Sequence, residues 1–210
     1  MTSAVVLLRE QWTPLRTWIC DAGVLDHGTS PSGLGDWTVT ELVAHLGRAM
    51  DALAGCRPAP GLTPMGLGDY LAGYADGAAA IAETTRALAV RFGDDVLGGV
   101  DSMVAGAFEA LAGLGAPQDV VLARRGPIRL DDFVLSRLIE LVVHGDDLAR
   151  ALPALPAPPL LDDAVQSVAL ALVEVHHGRT GRRPSIADPL RWIRRAAGRE
   201  DADDTGLPLF

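Results

Sequence analysis

Apolar residues recur along most of this chain at the three- and four-residue spacing of α-helices, not in the alternation of strands. The spacing predicts long helices over residues 3–22, 38–54, 67–91, 101–114, 130–152 and 161–177, and a short one over 189–197. The second helix begins at Thr38 with Glu41 three residues later, a spacing typical of a capping box. Proline-rich stretches at 57–64 and 153–159 break the helical pattern.

One segment departs from this pattern. Residues 119–130 contain two short β-prone runs around a Gly-Pro turn, which predicts a small hairpin. Four long helical segments with short N-terminal connections favour a four-helix bundle. We therefore predict an all-α fold, with the bundle in residues 1–152 and a short C-terminal helical extension, residues 153–210, packed on it.

The composition of the chain indicates a folded protein with a hydrophobic core that lies outside the membrane. The chain has 210 residues, 49% of them hydrophobic, which is enough for a substantial core. It lacks a long uncharged apolar stretch and a basic N-terminal region, so we expect a cytoplasmic protein that is not in a membrane.

A net charge of −9 argues against nucleic acid as a partner. The arginines between 179 and 199 could form a basic patch, but an exposed helix balanced by the acidic tail is the favoured interpretation.

The stretch RLIELVVHGDD holds the most informative polar residues. Arg137, Glu140, His144 and Asp147 follow one another at spacings of 3, 4 and 3, so they share a sector of roughly 80° on the helix. Apolar residues occupy nearly every other direction, a pattern typical of a buried helix. Buried ionisable groups need an ion pair, a hydrogen-bond network or a metal. The alternative is an ordinary Glu–His or Arg–Glu pair on a partly exposed helix.

A third ligand would have to come from another helix. His45 lies on or beside the apolar stripe of the second helix, and with Glu140 and His144 it completes a set of two histidines and a glutamate. Three protein ligands and an open position are typical of catalytic zinc sites. A lone core histidine is the alternative for His45. His176 and His177 are interpreted as a helix cap, and are the next candidates for a metal site.

The two motifs resemble a known family. GDWTVTELVAHLGRAM, with Trp37 eight residues before His45, and RLIELVVHGDDL are similar to the metal motifs of the mycothiol-dependent maleylpyruvate isomerase family. That family belongs to the DinB-like superfamily of four-helix bundles, and the resemblance runs over about residues 5–152. It implies a divalent metal, usually zinc, on His45, Glu140 and His144. It also implies mycothiol, an actinobacterial thiol, as cosubstrate.

Two further features bear on this resemblance. All 18 basic residues are arginine, and the chain has no lysine or asparagine, as expected from a GC-rich, actinobacterial genome. Arg137 and Asp147 match recurrent motif positions, and we assign them to supporting the metal ligands. Many family members have an aromatic residue where this chain has Asp146, and residues 153–210 are too few for the second domain of the isomerase itself. Maleylpyruvate is therefore in doubt as the substrate.

The resemblance implies a mycothiol S-transferase or a mycothiol-dependent isomerase, with transfer favoured. The thiol would react as a metal-bound thiolate with a small electrophile. A metal-dependent hydrolase that activates water, and a non-enzymatic metal-binding or regulatory bundle, are the alternatives. We expect a monomer or a homodimer.

Overall fold

The computed structural model describes residues 3–202 and 204–210, and helices dominate this part of the chain. The helices are α1 (Ala4–Asp21), α2 (Val39–Asp51), α3 (Leu67–Ala72), α4 (Tyr74–Phe92), α5 (Val96–Ala112), α6 (Leu130–Ala151), α7 (Asp162–Thr180) and α8 (Pro189–Ala196), with a 3₁₀ helix at Val24–His27. The strands are β1 (Arg57–Pro58), β2 (Val120–Ala123) and β3 (Gly126–Arg129). The prediction of an all-α fold with a small β element is confirmed.

The element boundaries differ most from the predicted ones in two places. The predicted helix over 67–91 is divided at Gly73 into α3 and α4. Helix α5 begins at Val96, five residues earlier than expected, because the Asp95 side chain accepts a hydrogen bond from the Gly98 amide and so caps it. The sequence pattern did not predict this first turn, because Gly98 and Gly99 have a low helix propensity.

The predicted hairpin is present as β2 and β3, joined in antiparallel register with Val121 opposite Ile128. A third strand, β1, adds to it from the proline-rich segment, where Arg57 lies opposite Leu122. Pro58 is tolerated there because β1 is an edge strand. The sequence pattern had indicated only the break in the helix.

Helices α2 and α6 lie at the centre of the molecule. Helix α6 packs against α1, α2 and α7, while α2 also packs against α4 and α5. Their facing side chains are fully buried, among them Leu42, Leu46, Leu138 and Leu141. The two helices that contain the candidate ligands are therefore direct neighbours in the core.

The chain beyond α6 lies against the rest of the molecule. The linker that follows α6 is held by Gln11 and Trp18 of α1, which donate hydrogen bonds to the carbonyls of Pro159 (3.0 Å) and Pro156 (2.8 Å). Helix α7 then packs on α1, α3 and α6, and α8 packs on α7. A division into two domains at residue 152 stays a prediction. No helix of the described residues combines the length and the hydropathy needed to cross a membrane.

Candidate metal and thiol site

The polar stripe of α6 faces the interior, as the helical-wheel argument predicts. Arg137, Glu140, His144 and Asp147 are exposed by only 4%, 8%, 8% and 3%. Most of the apolar residues around them are buried as well, among them Leu138, Ile139 and Leu141. The alternative of a partly exposed helix with surface ion pairs is therefore excluded.

Helix α2 presents His45 to this stripe. The capping box predicted at its start is formed: Thr38 Oγ1 accepts from the Glu41 amide at 3.2 Å, and the Glu41 carboxylate accepts from the Thr38 amide at 2.7 Å. This fixes the first turn of α2 about two turns before His45. The Trp37 ring lies against the His45 ring, with centroids 5.0 Å apart.

The three predicted ligands meet at one point. Nε2 of His45 lies 3.2 Å from Oε2 of Glu140, and Nε2 of His144 lies 3.1 Å from the same oxygen. The two imidazole rings are nearly perpendicular, with centroids 4.8 Å apart. Among the described residues, this is the group of three side chains whose ligand atoms all lie within 4.8 Å of one another. Two imidazole nitrogens and a carboxylate oxygen are a donor set that suits zinc.

Each histidine has a second partner on its other ring nitrogen. His144 Nδ1 lies 2.9 Å from Oδ2 of Asp147, and His45 Nδ1 lies 3.3 Å from Oγ1 of Thr85. Such partners orient a metal-binding imidazole and make its free nitrogen more basic. Asp147 is in turn held by Arg199, whose Nε lies 3.1 Å from Oδ1.

The sequence motif indicates a supporting position for Asp147, but no feature of the sequence indicates Thr85. Thr85 lies on α4 in an alanine-rich run with no motif, and its complete burial is a result of tertiary packing. A single hydroxyl in such a helix gives no signal in the sequence. Arg199 was also missed as a partner of Asp147, because it lies 52 residues further along the chain.

Arg137 of α6 forms hydrogen bonds with residues of helices α2 and α4. Its guanidinium donates to the Ala49 carbonyl of α2 at 3.0 Å and to the Tyr74 hydroxyl of α4, and its Nη2 lies 3.9 Å from Glu140 Oε1. A buried positive charge at this distance stabilises the ionised form of Glu140. These contacts place Arg137 beside Glu140, and its role in supporting the metal ligands stays a prediction.

The protonation of the site follows from these contacts. Burial lowers the pKa of His45 to about 4 despite its hydrogen bond to Glu140. Burial would lower the pKa of His144 as well, but hydrogen bonds to Asp147 and Glu140 outweigh it and raise that pKa to about 9. Hydrogen bonds from both histidines and the charge of Arg137 outweigh burial at Glu140 and hold its pKa well below its ordinary range.

A pocket of about 370 Å³ opens beside the three ligands. Its lining is mainly apolar and includes Trp37, Ile81, Ile139 and Val143, with Arg199 as its charged residue besides the ligands. Such a site can hold a small molecule next to the ligands. His176 does not line this pocket. Its ring nitrogens form hydrogen bonds with the Arg182 carbonyl (3.0 Å) and with Asp204 (3.1 Å).

Comparison with known proteins agrees with this geometry. The model of the mycothiol maleylpyruvate isomerase N-terminal domain matches residues 8–149. The chain belongs to this family. The matched region begins in α1, ends in α6 and contains all three candidate ligands, while Arg199 lies outside it. No curated protein and no solved structure matches the chain significantly.

Proposed function

We propose that this family member binds one zinc ion through His45, Glu140 and His144 and uses mycothiol to modify a small electrophile. S-transfer is favoured over isomerisation. The observation that supports this most directly is the convergence of three buried ligand atoms beside a small apolar pocket. Membership in a family of mycothiol-related proteins supports mycothiol as the thiol.

The residues around the three ligands favour the protonation states in which the ligands can bind a metal. Asp147 and Thr85 can accept the Nδ1 protons of His144 and His45, which leaves both Nε2 atoms free for an ion. Arg137 keeps Glu140 ionised. A zinc ion held there would lower the pKa of a thiol from its usual value of about 8.5, so that the nucleophilic thiolate exists at neutral pH.

The pocket wall then determines what can react. Trp37, Ile139 and Val143 give the space beside the ligands an apolar wall, which would reduce the contact of a bound thiolate with water. Arg199 places one positive group at the edge of this apolar space. An electrophile with a small apolar body fits such a pocket.

Metal analysis of purified protein tests the site. We expect about one equivalent of zinc per chain in the wild type and in His27→Ala, which changes an exposed histidine and serves as the control. His45→Ala and Glu140→Gln should retain little metal. Full zinc content in both variants would overturn the assignment of the ligands.

Calorimetry of the zinc-loaded protein with mycothiol tests the cosubstrate. Tight binding that is lost in Glu140→Gln is the expected result. Thiol consumption with alkyl halides or activated alkenes then identifies transfer, whereas turnover without thiol consumption identifies isomerisation. Zinc binding without any heat from mycothiol would contradict the proposal, and ester or amide cleavage in that case would indicate the hydrolase.

A further inference from the structure

Another cavity, of about 580 Å³, shares the side chain of Ile81 with the metal pocket. Its lining is unusually basic for a chain with a net charge of −9. Two acidic residues line it, Asp51 and Asp76, against five arginines: Arg48, Arg91, Arg124, Arg125 and Arg137. The arginines come from α2, α4, the β2–β3 turn and α6, so the fold gathers them from four separate segments.

Four of these arginines lack carboxylate partners. Arg16 and Arg194 each form a close ion pair with an aspartate, at 2.7 and 2.6 Å. Within the part of the chain that the structure describes, none of Arg48, Arg91, Arg124 and Arg125 has a carboxylate oxygen within 4.0 Å, although Asp51 and Asp76 line the same cavity. The charge of these four arginines is therefore not neutralised by direct ion pairs.

Arg48 shows this most clearly. Its Nε atom is buried and has no hydrogen-bond acceptor among the described residues. Burial and the repulsion from Arg124, Arg125 and Arg137 outweigh the attraction of Glu140 and lower the pKa of Arg48. A buried donor without an acceptor destabilises a fold, so a ligand that supplies an oxygen here would gain a hydrogen bond with a charged donor.

Arg125 is held in place by contacts that leave its charge free. Its Nε donates to the Gly73 carbonyl at 3.1 Å, and its guanidinium carbon lies 4.1 Å from the centroid of the Tyr74 ring. Neither partner carries a negative charge. Arg124 next to it is exposed, so the cavity has one fixed and one accessible cation on the same turn.

We propose that this cavity binds a compact ligand with at least two negative charges on oxygen, such as a phosphate or a dicarboxylate, through Arg48, Arg124 and Arg125. Guanidinium groups bind such oxyanions through paired, charge-assisted hydrogen bonds. The site goes beyond the proposed zinc and thiol chemistry and does not depend on it.

Titration calorimetry with inorganic phosphate and with succinate, at constant ionic strength, tests the site. We expect both to bind the wild type more tightly than acetate, which has a single charge. Arg48→Gln and Arg124→Gln should each weaken binding, and together by about tenfold or more, because a lost charged hydrogen bond costs at least that factor. Arg183→Gln is the control, since Arg183 is an exposed arginine paired with Glu174.

Equal binding of phosphate, succinate and acetate, or binding that the double variant leaves unchanged, would overturn the proposal. Arg124 is exposed, so its variant remains informative if Arg48→Gln is unstable. Phosphate binding by Glu140→Gln would support the cavity as an anion site even if the metal proposal fails. A repeat with saturating mycothiol tests whether the two sites are separate: unchanged phosphate affinity is the expected result, and competition would show that the anion site overlaps the thiol site.

Discussion

His45 and His144 contact the same oxygen of Glu140, yet the pKa values of their imidazoles are shifted in opposite directions. His144 has a second carboxylate, Asp147, as its partner, and its pKa is about 9. His45 has only the hydroxyl of Thr85 there, and its pKa is about 4. These shifts predict a proton on His144 Nε2, the atom that faces Glu140.

This difference predicts a proton release on metal binding. A pH of 7 is below the pKa of His144, about 9, so this imidazole is expected to be protonated. The same pH is above the pKa of His45, about 4, so that imidazole is expected to be neutral. Zinc should therefore displace about one proton, and its affinity should rise as the pH increases towards 9 and then level off. Calorimetry in buffers of different ionisation enthalpy measures the proton count. A count near zero at pH 7 would show that His144 is neutral in the metal-free protein.

The neighbouring aspartates Asp146 and Asp147 provide a matched pair of variants. Both are buried, but Asp147 contacts His144 and Arg199, whereas Asp146 is paired with Arg194. Asp147→Asn removes the charge behind the imidazole, so zinc affinity should fall by about 10- to 100-fold. Asp146→Asn should leave zinc affinity nearly unchanged. Competition with a fluorescent chelator measures both, and equal losses would show that burial on α6, rather than contact with His144, is responsible.

At the scale of elements, the position of α2 determines where His45 lies. Helix α2 packs closely on α5 at Gly47, where a Cβ atom would lie 3.2 Å from the Cα of Val100. The side chain of Val100 would be equally close. The two helices can approach this closely because residue 47 has no side chain.

Gly47→Ala is therefore expected to push α2 away from α5, by overpacking a tight contact. We expect the free energy of unfolding to fall by ~1–3 kcal/mol, and zinc affinity to fall with it because His45 moves with α2. Gly106→Ala on α5 is the control, since its Cβ would meet nothing within 4 Å; there alanine should stabilise the helix by ~0.5–1 kcal/mol. Urea unfolding measures both, and a stabilised Gly47→Ala would contradict the close contact.

For the whole molecule, the site depends on segments far apart in the chain. Arg199, which follows α8, pairs with Asp147 and lines the metal pocket, and Phe210 lines the same pocket. Helix α4 adds Thr85 and Tyr74. The family match covers residues 8–149, so part of the pocket wall comes from a region outside it. This is where we expect the substrate preference of this chain to differ from that of its relatives.

Because the ligands come from α2 and α6, an ion bound there links the two central helices. Free zinc at a thousandfold excess over its Kd should stabilise the fold by ~4 kcal/mol, equivalent to a rise in Tm of about 8–16 °C for a domain of this size. Chelation should remove this gain in the wild type and in His27→Ala. Thermal unfolding measures it, and an equal zinc-dependent rise in Glu140→Gln would place the ion elsewhere.

The sequence by itself determined the helices, the burial of the polar stripe on α6 and the choice of His45, because periodicity and spacing are local properties and the two motifs match a family. It did not reveal the break at Gly73, the added strand β1, Thr85 behind His45 or Arg199 behind Asp147. Only the tertiary structure decided these, and likewise which of the 18 arginines line each cavity. Such contacts depend on how distant segments pack, and a single arginine or threonine looks the same in the sequence whether it faces solvent or a site.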